Sequence, residues 1–306
     1  MNIGIDMGGT HTGVGLVEGL EIKDKIEFAT DVSKGPEHYA EILKENIDIL
    51  LRANSLTLDE IKSIGMGVPG SANRETGMVE YANNLGFENV EFEDILTKTL
   101  GRNVLLDNDA NLAALGEYLL TESRAKSFIM VTIGTGIGCG FILNGEVYRG
   151  VNFAEGEIGH MTIKYDGVAC NCGRRGCFEA YASAGALVKL ACDAMVENPK
   201  SYLWRLKKID GKGIFEAVMA KDKTTLSVLD EYTTYLSVGL TNIINIFQPE
   251  ELVIGGGISV QAPLFMPDTL EKISKSIYSK DSKKNTIIKA ARFANDAGII
   301  GATLQK

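Results

Sequence analysis

The sequence has no excess of positive charge and no apolar run long enough to cross a membrane. Its 306 residues include 31 basic and 40 acidic side chains, for a formal net charge of −9. Duplex nucleic acid binds to basic protein surfaces, so this balance argues against nucleic acid as the main partner. A membrane-spanning helix needs about 20 consecutive apolar residues, and no run here approaches that length. We therefore predict neither a nucleic acid partner nor a membrane partner.

Cysteine is scarce and unevenly placed, which argues against a disulfide scaffold. The chain has five cysteines, and three of them fall between Cys170 and Cys177. Such crowding fits a metal site in a reducing compartment better than a set of disulfides. The N-terminus has no basic region followed by an apolar stretch, so we expect no signal peptide and a cytoplasmic protein.

Glycine, in contrast, is abundant and clustered. Of the 34 glycines, three groups follow short apolar or β-branched runs: Gly8-Gly9, the glycines of residues 134–140, and Gly255-Gly256-Gly257. A strand that ends in glycines brings backbone N–H groups close to a ligand, which is most often a phosphate. Glycine clustering therefore points to a nucleotide or another phosphorylated ligand.

Hydrophobic periodicity predicts an α/β protein whose halves both begin with a strand, a glycine turn and a second strand. In the first half we predict strands over 2–6, 12–17, 25–29, 63–68 and 103–106, and helices over 37–53 and 110–120. In the second half we predict strands over 127–133, 139–143, 147–149 and 251–254, a loop-rich insertion over 156–179, and a helix over 231–247. The early hairpin departs from a dinucleotide-binding unit, which has a helix after its first strand. Two related α/β lobes with a cleft between them are expected.

Two glycine turns are candidate phosphate sites. In Asp6-Met7-Gly8-Gly9-Thr10 the glycines would let the backbone close on a phosphate, and Asp6 could hold a hydrated Mg²⁺; a plain β-turn is the alternative. The second turn, Gly134-Thr135-Gly136, fits neither the dinucleotide fingerprint nor the Walker A pattern. A bend in a packed sheet is the alternative for the second turn. The occurrence of two such turns, one in each half of the chain, favours phosphate binding. Gly255-Gly256-Gly257 could accept an adenine or ribose, or could be a helix-packing turn.

A polar cluster, Asp107-Asn108-Asp109-Ala110-Asn111, falls at a predicted strand-to-helix junction. Helix capping explains one such residue well, since Asn and Asp are preferred caps. A carboxylate here could also take the proton of a substrate hydroxyl. A helix N-terminus lowers the pKa of such a base, which phosphoryl transfer tolerates because positioning dominates that reaction.

The strongest motif combines His160 with Cys170, Cys172 and Cys177. One imidazole and three thiolates form a closed tetrahedral set for Zn²⁺, with no position left for a substrate. Buried free cysteines are the alternative, although three cysteines in a polar, glycine-rich loop are poor core formers. We expect a structural zinc ion that orders the loop carrying Glu157 and Glu179.

Together these motifs resemble the ROK family of sugar kinases and repressors, within the actin-like, ribonuclease-H-like ATPase superfamily. The most specific part is Gly156-Glu157-Ile158-Gly159-His160 followed by the cysteine cluster and Glu179. The resemblance covers essentially the whole chain and implies a two-lobed actin-like α/β fold with the active site in the interlobe cleft. It implies a small lobe over 1–117, rejoined by a C-terminal helix at about 290–306, and a large lobe over 118–289 with the zinc-binding loop. A homodimer is also expected from the family.

The resemblance implies an ATP-dependent hexose kinase of the glucokinase type, with Asp109 as the general base for the 6-hydroxyl. The residues that it implies for the sugar are Gly70, Asn84, Asn108, Asp109, Glu157, His160 and Glu179. Those that it implies for ATP and Mg²⁺ are Asp6, Gly8, Gly9, Thr10, Gly134, Thr135, Gly136, Gly255, Gly256 and Gly257. His160 would serve the sugar with one ring nitrogen and zinc with the other.

Three alternatives remain open at this stage. His11 and Asn83 depart from the usual family residues, so the hexose could instead be N-acetylmannosamine, N-acetylglucosamine, allose or fructose. A sugar-responsive repressor is disfavoured, because such proteins carry a helix-turn-helix segment before the first strand and only Met1 stands there. A non-catalytic sugar sensor is disfavoured because Asp6, Asp109 and both glycine turns are present.

Overall fold

The structure, a computed structural model, describes residues 1–293 and 296–305. The chain divides into two compact units. The first comprises Met1–Met130, Gly140–Gly156 and Arg292–Lys306, and the second comprises Val131–Cys139 and Glu157–Ala291. The predicted C-terminal segment 290–306 includes Ala294, Asn295 and Lys306, which lie outside the described residues.

Strands and helices alternate along the chain, as an α/β protein requires. The strands are β1 (Asn2–Met7), β2 (His11–Glu18), β3 (Glu21–Ala29), β4 (Ile64–Val68), β5 (Ser71–Asn73), β6 (Met78–Ala82), β7 (Phe87–Val90), β8 (Val104–Asn108), β9 (Ser127–Ile133), β10 (Ile137–Leu143), β11 (Glu146–Tyr148), β12 (Glu251–Gly255) and β13 (Ile287–Ala290). The helices are α1 (Pro36–Ala53), α2 (Phe92–Leu100), α3 (Asp109–Leu120), α4 (Glu179–Ala182), α5 (Ala184–Glu197), α6 (Gly211–Met219), α7 (Lys223–Phe247), α8 (Ala262–Ser276) and α9 (Asp296–Ala302).

The first unit is built on a five-stranded sheet in the order β3-β2-β1-β4-β8. β1 and β2 form the predicted antiparallel hairpin, whereas β1, β4 and β8 run parallel. Helix α1 begins with Pro36 at a first-turn position, where a missing N–H costs no hydrogen bond. Its buried face, which includes Tyr39, Leu43 and Ile47, packs in the same apolar core as β1 and β4.

Parallel strands place their carboxyl ends at one edge of the sheet, and the register shows which residues meet there. Asp6 on β1 is opposite Gly67 on β4, and Gly67 is opposite Asp107 on β8. Because neighbouring strands lie about 4.8 Å apart, this register brings the polar ends of β1 and β8 to within two strand spacings. Ligand sites of open α/β sheets form at such carboxyl ends.

Helix α9 lies unusually close to this sheet because glycines face it. A Cβ atom on Gly4 of β1 would come within 1.9 Å of the Ile299 carbonyl oxygen, and one on Gly65 of β4 within 1.8 Å of the Ala302 oxygen. A Cβ atom on Gly116 of α3 would likewise come within 2.0 Å of the Ala297 carbonyl oxygen. Any larger side chain at these positions would push α9 off β1, β4 and α3.

A second five-stranded sheet has the order β11-β10-β9-β12-β13. Its β10–β11 hairpin turns at Asn144 and Gly145, which have φ of 52° and 85°. Two positive φ values suit the two-residue turn that Asn-Gly predicts. In the second unit the long helix α7 buries its predicted apolar stripe, including Tyr232, Leu236 and Leu240.

Several elements differ from the sequence prediction. β3 begins at Glu21 rather than near residue 25, because its edge position leaves polar residues exposed and obscures the alternation. α7 begins at Lys223 rather than at 231, since the Asp222 carboxylate caps it by accepting from the Thr225 N–H at 3.0 Å. The small β5-β6-β7 sheet, helices α2 and α8 and strand β13 were not predicted. Among the described residues no helix is both long enough and apolar enough to cross a membrane.

Candidate functional site

The β8–α3 corner carries the polar cluster noted in the sequence. Asn108 is the N-cap of α3, because its Oδ1 accepts from the Asn111 N–H at 3.0 Å. Its Nδ2 donates to the Gly70 carbonyl oxygen at 2.9 Å. Asp109 is the first helical residue, and its Oδ1 accepts from the Ala110 N–H at 2.8 Å. Asn108 is therefore a helix cap that also bonds to Gly70, and Asp109 follows it in the first turn of α3.

Asp6 lies near Asp109 at this end of the sheet. A Cβ atom on Gly67, the strand neighbour of Asp6, would come within 3.1 Å of the Asp109 Cα. Burial, together with the negative charges of Asp109 and Glu27, raises the pKa of Asp6 to about 7. A desolvated carboxylate with a second carboxylate nearby is a donor set that a divalent cation would stabilise. The residues present therefore fit Mg²⁺.

The first glycine turn is open to a ligand and adjoins Asn84. The Gly8 N–H donates to the His11 carbonyl oxygen at 2.9 Å, which closes the turn. Gly9 and Thr10 are exposed, and a Cβ atom on Gly9 would lie 3.6 Å from the Cβ of Asn84. In the first unit the structure thus brings together three pairs of predicted site residues: Asp6 with Asp109, Asn108 with Gly70, and Gly9 with Asn84.

Glu179 joins the second glycine turn to the cysteine loop. The Gly134 N–H donates to the Gly136 carbonyl oxygen at 2.9 Å to form the turn. Glu179 Oε2 accepts from the Ile137 N–H at 2.9 Å, and a Cβ atom on Gly136 would come within 2.3 Å of that oxygen. Only glycine at position 136 allows the carboxylate to approach the turn so closely.

The three glycines begin at the last residue of β12, and the second of them lies beside the strand that leads into this second turn. Gly256 has φ of 77°, and a Cβ atom there would come within 2.5 Å of the Ile133 carbonyl oxygen. Ile133 is the last residue of β9 and immediately precedes Gly134. Two of the predicted nucleotide segments are therefore neighbours in the second unit.

The predicted metal ligands form one cluster. One donor atom each from His160, Cys170, Cys172 and Cys177 lie within 4.8 Å of one another. The Cys172 and Cys177 sulfurs are 3.7 Å apart, and so are the Cys170 sulfur and His160 Nδ1. Zinc–sulfur bonds of about 2.3 Å give a tetrahedron with sulfur–sulfur edges of about 3.8 Å. The Cys₃His set therefore fits a structural zinc ion.

His160 connects this cluster to Glu157. Its Nδ1 faces Cys170, whereas its Nε2 is 3.8 Å from Glu157 Oε2. A ring bound to metal through one nitrogen is commonly oriented by a carboxylate at the other. Burial raises the pKa of Glu157, His160 lowers it, and the charge of Glu179 raises it. The zinc cluster can thus fix the direction in which Glu157 presents its carboxylate.

Two polar pairs at the β8–α3 corner were not predicted. The buried Asp107 accepts two hydrogen bonds on Oδ2, from Arg149 Nε at 2.9 Å and Nη2 at 2.7 Å. Asn111 Nδ2 donates to Glu155 Oε1 at 2.6 Å. Asp107 and Asn111 belong to the polar cluster over 107–111, but Arg149 and Glu155 follow more than forty residues later. No local pattern in the sequence reveals such pairs.

The first unit thus has an exposed glycine turn and two neighbouring carboxylates, and the second unit has a glycine turn joined to a loop with a Cys₃His cluster. A family model described as the ROK family matches residues 2–305. This chain belongs to the ROK family.

Individual relatives agree with that assignment. The chain is 34% identical to a glucokinase from Halalkalibacterium halodurans, over 98% of this chain and 92% of that protein. It is also 34% identical to a glucokinase from Thermotoga maritima, over 98% of this chain and 95% of that protein. A ROK glucokinase from Streptomyces griseus, solved with glucose and AMPPNP, has a TM-score of 0.89 at 27% identity, covering 99% of this chain and 97% of that one. The predicted two-lobed actin-like fold class is confirmed.

Proposed function

We propose that this chain is a glucokinase, an enzyme that transfers the γ-phosphoryl group of ATP to the 6-hydroxyl of glucose. The glucokinases that it resembles match nearly its whole length, and one structural relative holds glucose and an ATP analogue. The observation that carries the proposal is the pairing of Asp6 with Asp109 at the end of the parallel strands, beside an open glycine turn.

In the proposed reaction Asp109 acts as the general base. Its carboxylate accepts the proton of the 6-hydroxyl as that oxygen forms a bond to the γ-phosphorus, and the bond from phosphorus to the bridging oxygen of ADP breaks. The transition state is loose, so holding the hydroxyl in line contributes more than basicity. Mg²⁺, held through water by Asp6, would supply positive charge to the phosphate oxygens.

The remaining site residues have proposed binding roles. For the sugar hydroxyls these are Gly70, Asn84 and Asn108 in the first unit and Glu157, His160 and Glu179 in the second. For the nucleotide they are the backbones of Gly8, Gly9, Thr10, Gly134, Thr135 and Gly136 at the phosphates, and of Gly255, Gly256 and Gly257 at the adenosine. Zinc, held by His160, Cys170, Cys172 and Cys177, would take no part in bond making.

We also propose the lobe division expected from the family. Residues 1–117 would form the small lobe together with the C-terminal helix, and residues 118–289 the large lobe. The close packing of α9 on β1, β4 and α3 supports the return of the chain to the first lobe. Limited proteolysis tests the division, because cuts should leave the C-terminal peptide associated with residues 1–117.

The substrate is tested by ADP release with ATP and Mg²⁺ against glucose, N-acetylmannosamine, N-acetylglucosamine, allose and fructose. The highest kcat/KM is expected with glucose. A clear preference for another hexose would keep the kinase but contradict glucose as its substrate, and would direct attention to His11 and Asn83. No activity from folded protein with zinc bound would contradict the kinase itself.

A further inference from the structure

Two buried oxygen atoms at the β8–α3 corner have no hydrogen-bond partner among the described residues. They are Asn111 Oδ1 and Glu155 Oε2. The other polar atoms of the same two groups are bonded, because Asn111 Nδ2 donates to Glu155 Oε1 at 2.6 Å. Asn111 is 1% exposed. Two buried acceptors without hydrogen bonds, on side chains that already contact each other, would cost folding free energy that native proteins seldom lose.

A single proton resolves both deficits. A carboxylate only accepts hydrogen bonds, whereas a protonated carboxyl group has one O–H donor and one C=O acceptor, matching a carboxamide atom for atom. We propose that Glu155 is a neutral carboxylic acid in the folded protein and forms a closed ring of two hydrogen bonds with the Asn111 side chain. Its Oε2–H donates to Asn111 Oδ1, and its Oε1 accepts from Asn111 Nδ2. Rotating the amide by half a turn exchanges the two bonds and still requires the proton.

The charges that face Glu155 agree with this assignment. Arg149 is the nearby cation, but it directs Nε and Nη2 to Asp107 and Nη1 to the Val147 carbonyl oxygen. Arg74 also lies beside Asp107, at 3.7 Å. Burial raises the pKa of Glu155 above its ordinary value, and this effect outweighs the hydrogen bonds from Asn111 and from the Glu155 backbone N–H, which lower the pKa. The charge of Asp107 raises the pKa, and that of Arg149 lowers it. The Arg149 guanidinium is therefore hydrogen-bonded to Asp107 and does not neutralise an ionised Glu155.

The ring adds to two other side-chain contacts of the segment over 149–156. One is the Arg149–Asp107 pair, and the other is the Ser71 hydroxyl of β5, which donates to the Phe153 carbonyl oxygen at 3.3 Å. Phe153 has φ of 57°, a strained value for a bulky residue, so its surroundings must hold it there. Glu157 follows Glu155 by two residues. Glu155 and Asn111 are therefore positioning residues for Glu157, a consequence that rests on the proposed function.

The test uses Glu155→Gln, whose amide reproduces a neutral acid with an N–H in place of the O–H. A group whose folded pKa lies above its ordinary value of 4.5 contributes stability that is lost as pH rises through the folded pKa. Urea unfolding of the zinc-loaded full chain should therefore show Glu155→Gln more stable than wild type. The ratio of their unfolding constants should grow with pH, by up to tenfold per pH unit, and level off above the folded pKa.

Glu155→Ala is the matched variant that cannot form the ring, and it should be less stable than Glu155→Gln at every pH. The infrared difference spectrum of wild type minus Glu155→Gln should contain the carbonyl band of a protonated carboxylic acid at neutral pH. A carboxylate band in its place, or a stability ratio that does not change with pH, would overturn the proposal. Neither the unfolding measurement nor the infrared spectrum depends on enzymatic activity. A failure of the proposed function is therefore distinguishable from a failure of the proposal about Glu155.

Kinetics with glucose test the positioning role. Glu155→Ala should raise KM for glucose several-fold with a smaller change in kcat, whereas Glu155→Gln should keep the wild-type KM. Wild-type KM should rise with pH through the folded pKa of Glu155, and the KM of Glu155→Gln should not follow it. Equal increases in KM for both variants at neutral pH would show that the ring does not position Glu157.

Discussion

The β8–α3 corner and the cysteine loop over 157–179 hold their functional side chains in different ways. At the corner, strand register sets Asp107, and the N-cap of α3 sets Asn108 and Asp109. The loop has little regular structure: a 3₁₀ turn over Ile158–His160 and two isolated β-bridges, Thr162–Cys177 and Ala169–Arg175. The corner is therefore positioned by the backbone and the loop by its metal ligands. Substitutions at the corner should therefore leave the zinc cluster intact, and substitutions at the zinc ligands should leave the Asp107–Arg149 pair intact.

The largest expected effect is at the corner, on chemistry rather than on structure. Asp109→Asn keeps a side chain of the same shape but removes the base. We expect kcat to fall by about 10²–10⁴-fold, the usual contribution of general base catalysis, with glucose affinity and zinc content unchanged. Stopped-time assays of ADP release and calorimetric titration with glucose measure both properties. Asp94→Asn on α2, which changes an exposed carboxylate, is the matched control. Wild-type turnover in Asp109→Asn would exclude Asp109 as the base.

The next largest effect should come from disordering the loop. Cys172→Ser removes one zinc ligand, so Glu157 and Glu179 lose their fixed positions, and kcat/KM for glucose should fall about 10²-fold. Cys192→Ser on α5, outside the cluster, should keep both zinc and activity. Metal analysis measures the zinc content of both variants, and steady-state kinetics measure their kcat/KM for glucose. Full activity in metal-free Cys172→Ser protein would show that zinc does not order the sugar-binding residues.

The third prediction is a loss of folding free energy that is confined to the corner and leaves the cysteine loop unchanged. Arg149→Met leaves Asp107 buried without its two-bond partner. Because Arg149 is partly exposed and Arg74 lies 3.7 Å from Asp107, we expect a loss of about 2 kcal/mol, below the range for fully buried pairs.

Urea unfolding measures this loss, with Arg124→Met, an exposed residue, as the control at under about 0.5 kcal/mol. Zinc content should not change in either variant. If Arg149→Met lost zinc as readily as stability, the two regions would not be independently organised.

The smallest expected effect tests the support of the loop. The Tyr181 hydroxyl oxygen accepts from the Val168 N–H at 2.7 Å. Tyr181→Phe removes that acceptor, at a cost of about 0.5–1.5 kcal/mol, and should accelerate zinc release to a chelator. Tyr165→Phe, in which the tyrosine is 89% exposed, should release zinc at the wild-type rate. Equal release rates for all three proteins would show that this hydrogen bond does not stabilise the loop.

The same contrast explains what the sequence could predict. Gly8-Gly9 after a strand and three cysteines within eight residues are local patterns, and their physical meaning does not depend on distant partners. Asp107 with Arg149 and Asn111 with Glu155 are separated by 42 and 44 residues, and only tertiary packing brings them together. The local patterns could therefore be recognised in the sequence, whereas the distant pairs could not.

Errors in the predicted elements have similarly specific causes. The first turns of α7 were missed because Thr224 and Thr225 favour helices weakly, although the Asp222 cap was a usable signal. The β5-β6-β7 sheet has strands of three to five residues, too short for an alternation to be recognised. Asn108 was interpreted either as a helix cap or as a site residue. In the structure it caps α3 through Oδ1 and also bonds through Nδ2 to Gly70, another predicted site residue.

The central claim is most directly tested by identifying the product of the wild-type protein. Phosphorus NMR with proton correlation, on a reaction containing ATP, Mg²⁺ and glucose, shows which oxygen receives the phosphoryl group. We predict glucose 6-phosphate and ADP in equal amounts. Phosphate attached at another hydroxyl, or inorganic phosphate in place of a sugar phosphate, would contradict the assignment.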